Sequence, residues 1–122
     1  MYQIDLTFHE LPPSLNVTLR KHWKAQRRVG KHWDDIVAQA LIGKMPPAPL
    51  AQARITIVRH FWASMDYDGV VGSMKPVVDA LVSAGVIADD RWKVTGPWII
   101  DQKFRPKKEG PLLTLRVESR ES

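Results

Sequence analysis

Alternating apolar residues at both ends of the chain, two stretches of helical spacing between them and a β-branched run near the middle predict an α/β (α+β) fold. The expectation is a single domain over residues 1–122, with a mixed β-sheet of about four strands, two helices packed on it and the order β-α-β-α-β-β. A chain of 122 residues buries one real core but not two.

Residues 2–8 place Tyr2, Ile4, Leu6 and Phe8 on one side with polar residues between them, the pattern of a half-buried strand. The LPPS segment from Leu11 to Ser14 ends it, because proline cannot donate to a sheet ladder. Trp33, Ile36, Val37, Ala40 and Leu41 then recur at helical spacing, which predicts a helix of about three turns with Asp34 and Asp35 near its start. Gly43 and the MPPAP segment stop it. Residues 53–62, β-branched and aromatic, read as a central strand.

A short loop carrying Asp66 and Asp68 comes next, then a helix over about residues 73–84 with Met74, Val77, Val78 and Leu81 inward and Gly85 closing it. Ser73 is the expected N-cap, which puts Pro76 in the first turn, where its missing amide costs nothing. Residues 92–104 read as a strand interrupted near Gly96–Pro97. Arg105 to Gly110 is a turn, and Leu113, Leu115 and Val117 alternate in a last strand, expected to form an antiparallel hairpin with the one before.

Hydrophobic residues make up 44% and charged residues 25%, ordinary soluble composition, and no apolar run approaches the length of a membrane span. The first residues, MYQIDLTFHELPP, alternate and so do not read as a signal peptide. The absence of cysteine excludes disulfides and thiolate metal sites, and a cytoplasmic location is expected. His9, His22, His32 and His60 are scattered without metal-ligand spacing, so zinc is not expected.

The net charge is +5, with nine Lys/Arg against four Asp/Glu in residues 1–60 and nine against nine in residues 61–122. Six of the basic residues (Arg20, Lys21, Lys24, Arg27, Arg28 and Lys31) fall between Arg20 and His32 with no acid among them. Such a stretch beside an acid-bearing half suits a polyanion held by one part of the chain while the other acts on it, although a solvated charged loop has the same composition.

Asp66 and Asp68 stand at i and i+2 directly after a strand. In an extended chain both carboxylates point to one side, and two anions so placed repel unless a cation lies between them or one is protonated. Magnesium, which prefers carboxylate oxygens and water, is the natural partner, whereas a solvated turn or an N-cap is the plainer reading of the same pair. Asp89 or Asp90, expected at the opening of the next strand, would complete a cluster. If residues 68–79 are helical, Asp68, Lys75 and Asp79 share one face, where Lys75 either meets a phosphate or simply pairs with Asp79.

Taken together, Asp66-x-Asp68, Lys75, Asp79-Ala80-Leu81, Gly85 and Asp89-Asp90 resemble the central motif of the RusA-type Holliday junction resolvases. Pro12-Pro13-Ser14-x-Asn16, with Arg20 and His22 behind it, resembles the same family's N-terminal segment. Two departures stand out: Lys75 follows the second aspartate by seven residues where a member of that family has four, and Met65 stands where a basic residue is common.

The resemblance implies a homodimeric endonuclease, dependent on Mg²⁺ with Mn²⁺ as substitute, that resolves four-way DNA junctions by symmetric nicks. It assigns metal-binding carboxylates to Asp66, Asp68 and Asp90, and a catalytic lysine to Lys75. Arg20, Lys21, Lys24, Arg27, Arg28 and Lys31 would then track DNA backbone. Asn16 either positions phosphate or caps a turn. Trp23 or Tyr67 stacks on unpaired bases or packs in the core. Trp98, Ile99 and Ile100 form either a dimer face or a core strand. No membrane and no small-molecule cofactor is expected. The alternatives are a non-catalytic module that binds branched nucleic acid, and a nuclease acting on other branched DNA.

Overall fold

The computed structural model describes residues 1–14 and 23–120. Among them the chain forms strand β1 (Gln3–Phe8), helix α1 (Trp23–Ala40), strand β2 (Ala53–Phe61), helices α2 (Tyr67–Ser73), α3 (Lys75–Ala84) and α4 (Trp92–Thr95), and strands β3 (Ile99–Phe104) and β4 (Leu112–Ser119). The fold is mixed α+β, with a four-stranded sheet in the order β1-β4-β2-β3. β4 runs antiparallel to both β1 and β2, and β3 runs parallel to β2.

The alternation read in the sequence is realised in β1 and β4, and the β-branched run of β2 alternates as well. Ile4, Leu6 and Phe8 of β1, Ile55 and Ile57 of β2, and Leu113, Leu115 and Val117 of β4 are all buried in one cluster with Trp33 and Val37 of α1, Leu41 just after it, and Val77, Val78 and Leu81 of α3. Trp33 is 1% exposed and meets Phe8 edge-on at 5.5 Å, an arrangement that suits the ring quadrupoles. Among the described residues no helix is long and apolar enough to cross a membrane.

Several sequence expectations are corrected. α1 has 18 residues and begins at Trp23, so the basic stretch is helical from there on instead of preceding the helix. The second expected helix is two helices that meet at Met74. Ser73 does not cap the second, because it is the last residue of α2 and its hydroxyl donates to the Val70 carbonyl at 2.8 Å; Met74 is the cap. Pro76 still lies in the first turn of α3, as its chemistry requires. Gly85 ends that helix in the left-handed region (φ 86°), with Val86 N–H donating to Leu81 O at 3.0 Å.

Residues 92–95 are a helical turn, closed by Gly96 at φ 58°, so only the second half of the expected 92–104 strand is extended. No β3–β4 hairpin forms, because β4 is drawn between β1 and β2, where its apolar side chains are covered and both of its edges are paired. Among the described residues β3 keeps one edge unpaired. Its Asp101 and Lys103 are solvent-exposed, the kind of charge that makes an edge strand safe.

Candidate functional site

The acidic residues sit where β2 gives way to α2, and an amide on the neighbouring strand fixes that junction. Gln102 of β3 holds the backbone of Met65 at both ends: Met65 N–H donates to its Oε1 at 2.9 Å, and its Nε2 donates to Met65 O at 2.9 Å. Arg59, only 8% exposed, donates to Ala63 O at 2.7 Å and to Gln102 Oε1 at 3.3 Å, and its guanidinium lies 4.6 Å from the centre of the Phe61 ring. Neither Arg59 nor Gln102 was expected from the sequence. The only signal was a cation and an amide inside strands, where apolar residues are the rule.

Asp66 is the N-cap residue of α2, extended at φ −64° and ψ 159°, but its carboxylate makes no capping hydrogen bond. It turns over Gly69, where an added Cβ would stand 2.6 Å from its Oδ1. Asp68 lies in the first turn of the helix. The pair therefore does not have the two-residue period of an extended chain, which corrects the expectation that both carboxylates point to one side. Both residues are exposed, and neither side chain has a hydrogen-bond or ion-pair partner among the described residues.

The acids that follow are all occupied. Lys75 Nζ donates to Asp79 Oδ1 at 2.8 Å, the ion pair that competed with a phosphate-binding role, and it also bonds Asp90 Oδ2. Burial alone would lower the Lys75 ammonium, but the bonds to Asp79 and Asp90 outweigh it and raise its pKa. The same bond from Lys75 holds the Asp90 carboxyl below its ordinary range. Asp89 turns the other way, accepting from the Asp90 N–H at 2.7 Å and pairing with Arg91 at 3.0 Å. Asp90 lies in the loop before α4, not at the opening of a strand. A bridge between Leu50 and Ile87 anchors this loop, with Ala88 N–H donating to Leu50 O at 2.9 Å.

Among the described residues no group of three or more His, Asp or Glu side chains is placed to hold a metal ion, so Asp66, Asp68 and Asp90 are not gathered as a trio. Magnesium, however, commonly takes only one or two protein carboxylates and fills its other positions with water and phosphate oxygens. The open Asp66 and Asp68 fit that demand. Asp90, held by Lys75, does not.

Lys24, Arg27, Arg28 and Lys31 lie at i, i+3, i+4 and i+7 of α1, all exposed, and line a shallow pocket of about 430 Å³. Lys31 also pairs with Asp35 at 3.3 Å. Asn16, Arg20 and Lys21 lie outside the described residues, as does the side chain of Trp23. Tyr67 is exposed at 70%, so of its two expected fates core packing does not apply. On β3, Ile99 is exposed at 47% and Ile100 is partly buried against the core, as is Trp98 just before the strand.

No family model matches this chain, and no curated protein matches it in sequence.

Proposed function

We propose that this protein is a metal-dependent endonuclease of branched DNA, and that four-way junctions are its substrate. The observation that carries this reading is the contrast among the acids. Asp79 and Asp90 share the ammonium of Lys75 and Asp89 pairs with Arg91, whereas Asp66 and Asp68 stand exposed and without a partner among the described residues. Two open carboxylates at a fixed backbone junction, with a cationic helix face in the same small domain, suit a site that takes a hard cation and a phosphodiester together.

Asp66 and Asp68 would hold the Mg²⁺, or Mn²⁺ in its place. When bound, the ion supplies an acidified water and neutralises charge at the scissile phosphate. Lys75, held between Asp79 and Asp90, offsets negative charge on the phosphate oxygens. For Asp90 to act as a third ligand it must exchange the ammonium of Lys75 for the metal. Lys24, Arg27, Arg28 and Lys31 bind backbone phosphates and set the affinity. A two-fold dimer would bring two such sites to opposing strands of a junction that is itself nearly two-fold.

The neutralisation of Asp90 by Lys75 favours a second reading, a module that binds branched nucleic acid without cutting it. A labelled synthetic four-way junction and a matched linear duplex, incubated with Mg²⁺, with EDTA and with Asp68→Asn, separate the two. Paired symmetric nicks on the junction alone, lost with EDTA and in the variant, support the nuclease. Tight binding with no cutting under any metal supports the module.

A further inference from the structure

Next to the acidic site, Asp90 opens onto a pocket of about 350 Å³ whose walls include Tyr67, Trp92, Thr95 and Trp98. Tyr67 and Trp92 are 70% and 73% exposed, while Trp98 is packed partly against the core. Single exposed aromatics are common, but three around one pocket, two of them held out in solvent, make a clustered apolar surface of the kind that marks a binding site. The alternate residues of the same segment line a second pocket of about 960 Å³, where Asp89 is outnumbered by Arg91, Lys93 and Arg120. The Nε of Arg120 is buried there without a hydrogen-bond partner among the described residues.

One stretch of chain, residues 89–95, thus presents aromatic rings and a carboxylate to one pocket and cationic groups to another. The second attracts a phosphate, while the first, with aromatic walls around a carboxylate whose other oxygen is bonded to Lys75, suits a planar base with N–H groups. We propose that the Tyr67–Trp92–Trp98 pocket takes a single unpaired nucleobase, its N–H edge donating to Asp90, with the neighbouring phosphate on the Arg91–Lys93–Arg120 side. This deepens the nuclease reading and rests on it for the choice of a nucleic acid. It gives the protein a means of selecting DNA that is locally unpaired. Stacking on aromatic side chains tolerates any base, and the carboxylate favours those richest in N–H donors, guanine first.

The test compares two labelled DNA hairpins, identical except that one carries a single bulged guanine and the other an abasic residue at the same place. Binding is read by fluorescence anisotropy in EDTA, so no cutting takes part. The wild type is expected to bind the guanine bulge about tenfold more tightly than the abasic one. Trp92→Ala should abolish that preference while leaving abasic binding unchanged, and Trp92→Phe, which keeps a ring, should retain most of it. Equal binding of the two hairpins by the wild type overturns the proposal, and so does an equal loss on both hairpins in Trp92→Ala. Absence of junction cutting with the guanine preference intact would instead remove the nuclease and leave the base pocket standing.

Discussion

Changing Lys24, Arg27, Arg28 and Lys31 together to glutamine removes the cationic face of α1 while keeping helix-forming side chains of similar length. From Lys24 to Lys31 the helix advances about 10 Å at 1.5 Å per residue, which matches about three phosphates of one strand at 3.4 Å each. The Lys31–Asp35 pair is exposed on both sides, so it holds Lys31 only weakly and leaves a fourth contact within reach. Each phosphate neutralised contributes about −0.9 to the slope of log affinity against log salt, so the variant should lose about 2.7 to 3.6 of slope. Between about 50 and 200 mM salt, the wild type should therefore lose about 40- to 150-fold more affinity than the variant. The assay is anisotropy on a labelled four-way junction in EDTA across that range, with circular dichroism to establish that the variant is folded. A folded variant with the wild-type slope would refute the assignment of this face to DNA.

Three further outcomes follow from the site and its supports. Gly69→Ala places a methyl against Asp66 Oδ1 and must rotate that carboxylate, while alanine favours the helix by up to about 1 kcal/mol; metal-dependent cutting should fall by roughly a hundredfold with no loss of thermal stability, and full activity would show that the Asp66 rotamer is irrelevant. Gln102→Leu unpairs Met65 N–H and O, so chemical denaturation should show a loss of about 1–3 kcal/mol, accompanied by weaker cutting; a neutral result would remove Gln102 as the positioning residue of the acidic junction. Burial, then Lys103 and Arg105, lower the His60 pKa from its ordinary 6.5 despite Asp101, so in that window the unfolded chain binds more protons than the folded one. Stability should rise with pH up to about that ordinary value and then level off; His60→Gln should flatten the rise, and an NMR titration of His60 with its midpoint at or above 6.5 would contradict the direction.

The first and last strands of the chain and the core were legible because a period of two leaves no choice of face: Ile4, Leu6 and Phe8, and Leu113, Leu115 and Val117, are buried in that alternation. The first half of α1 was hidden by its own charge. Between Trp23 and Trp33 the apolar positions are Ala25 and Val29, too few to register, while the helical period is carried by the lysines and arginines of the opposite face. The pairing of β4 was misjudged because neighbours in sequence usually pair, whereas here the deciding quantity is how much apolar surface each strand must cover. β3, with Asp101, Gln102 and Lys103, is better suited to an edge than β4 is. In the site, the identities of the acids were readable but their occupancy was not. That Lys75 reaches Asp90 depends on a fold-back through Gly85 and the Leu50–Ile87 bridge, which no local pattern encodes.

The place of β4 between β1 and β2 also sets the order in which the molecule can assemble. Gln3 pairs with Glu118 and Phe8 with Leu113, so β1 finds its sheet partner only after every element between them has been made. Until then Ile4, Leu6 and Phe8 have no ladder to join, and β2 has only its β3 side to build on. Closing so long a loop makes the late step slow relative to helix formation, and a chain stopped before Leu112 would carry two unpaired strand edges in its interior. Completion of the fold and protection from aggregation are thus a single event, the arrival of β4.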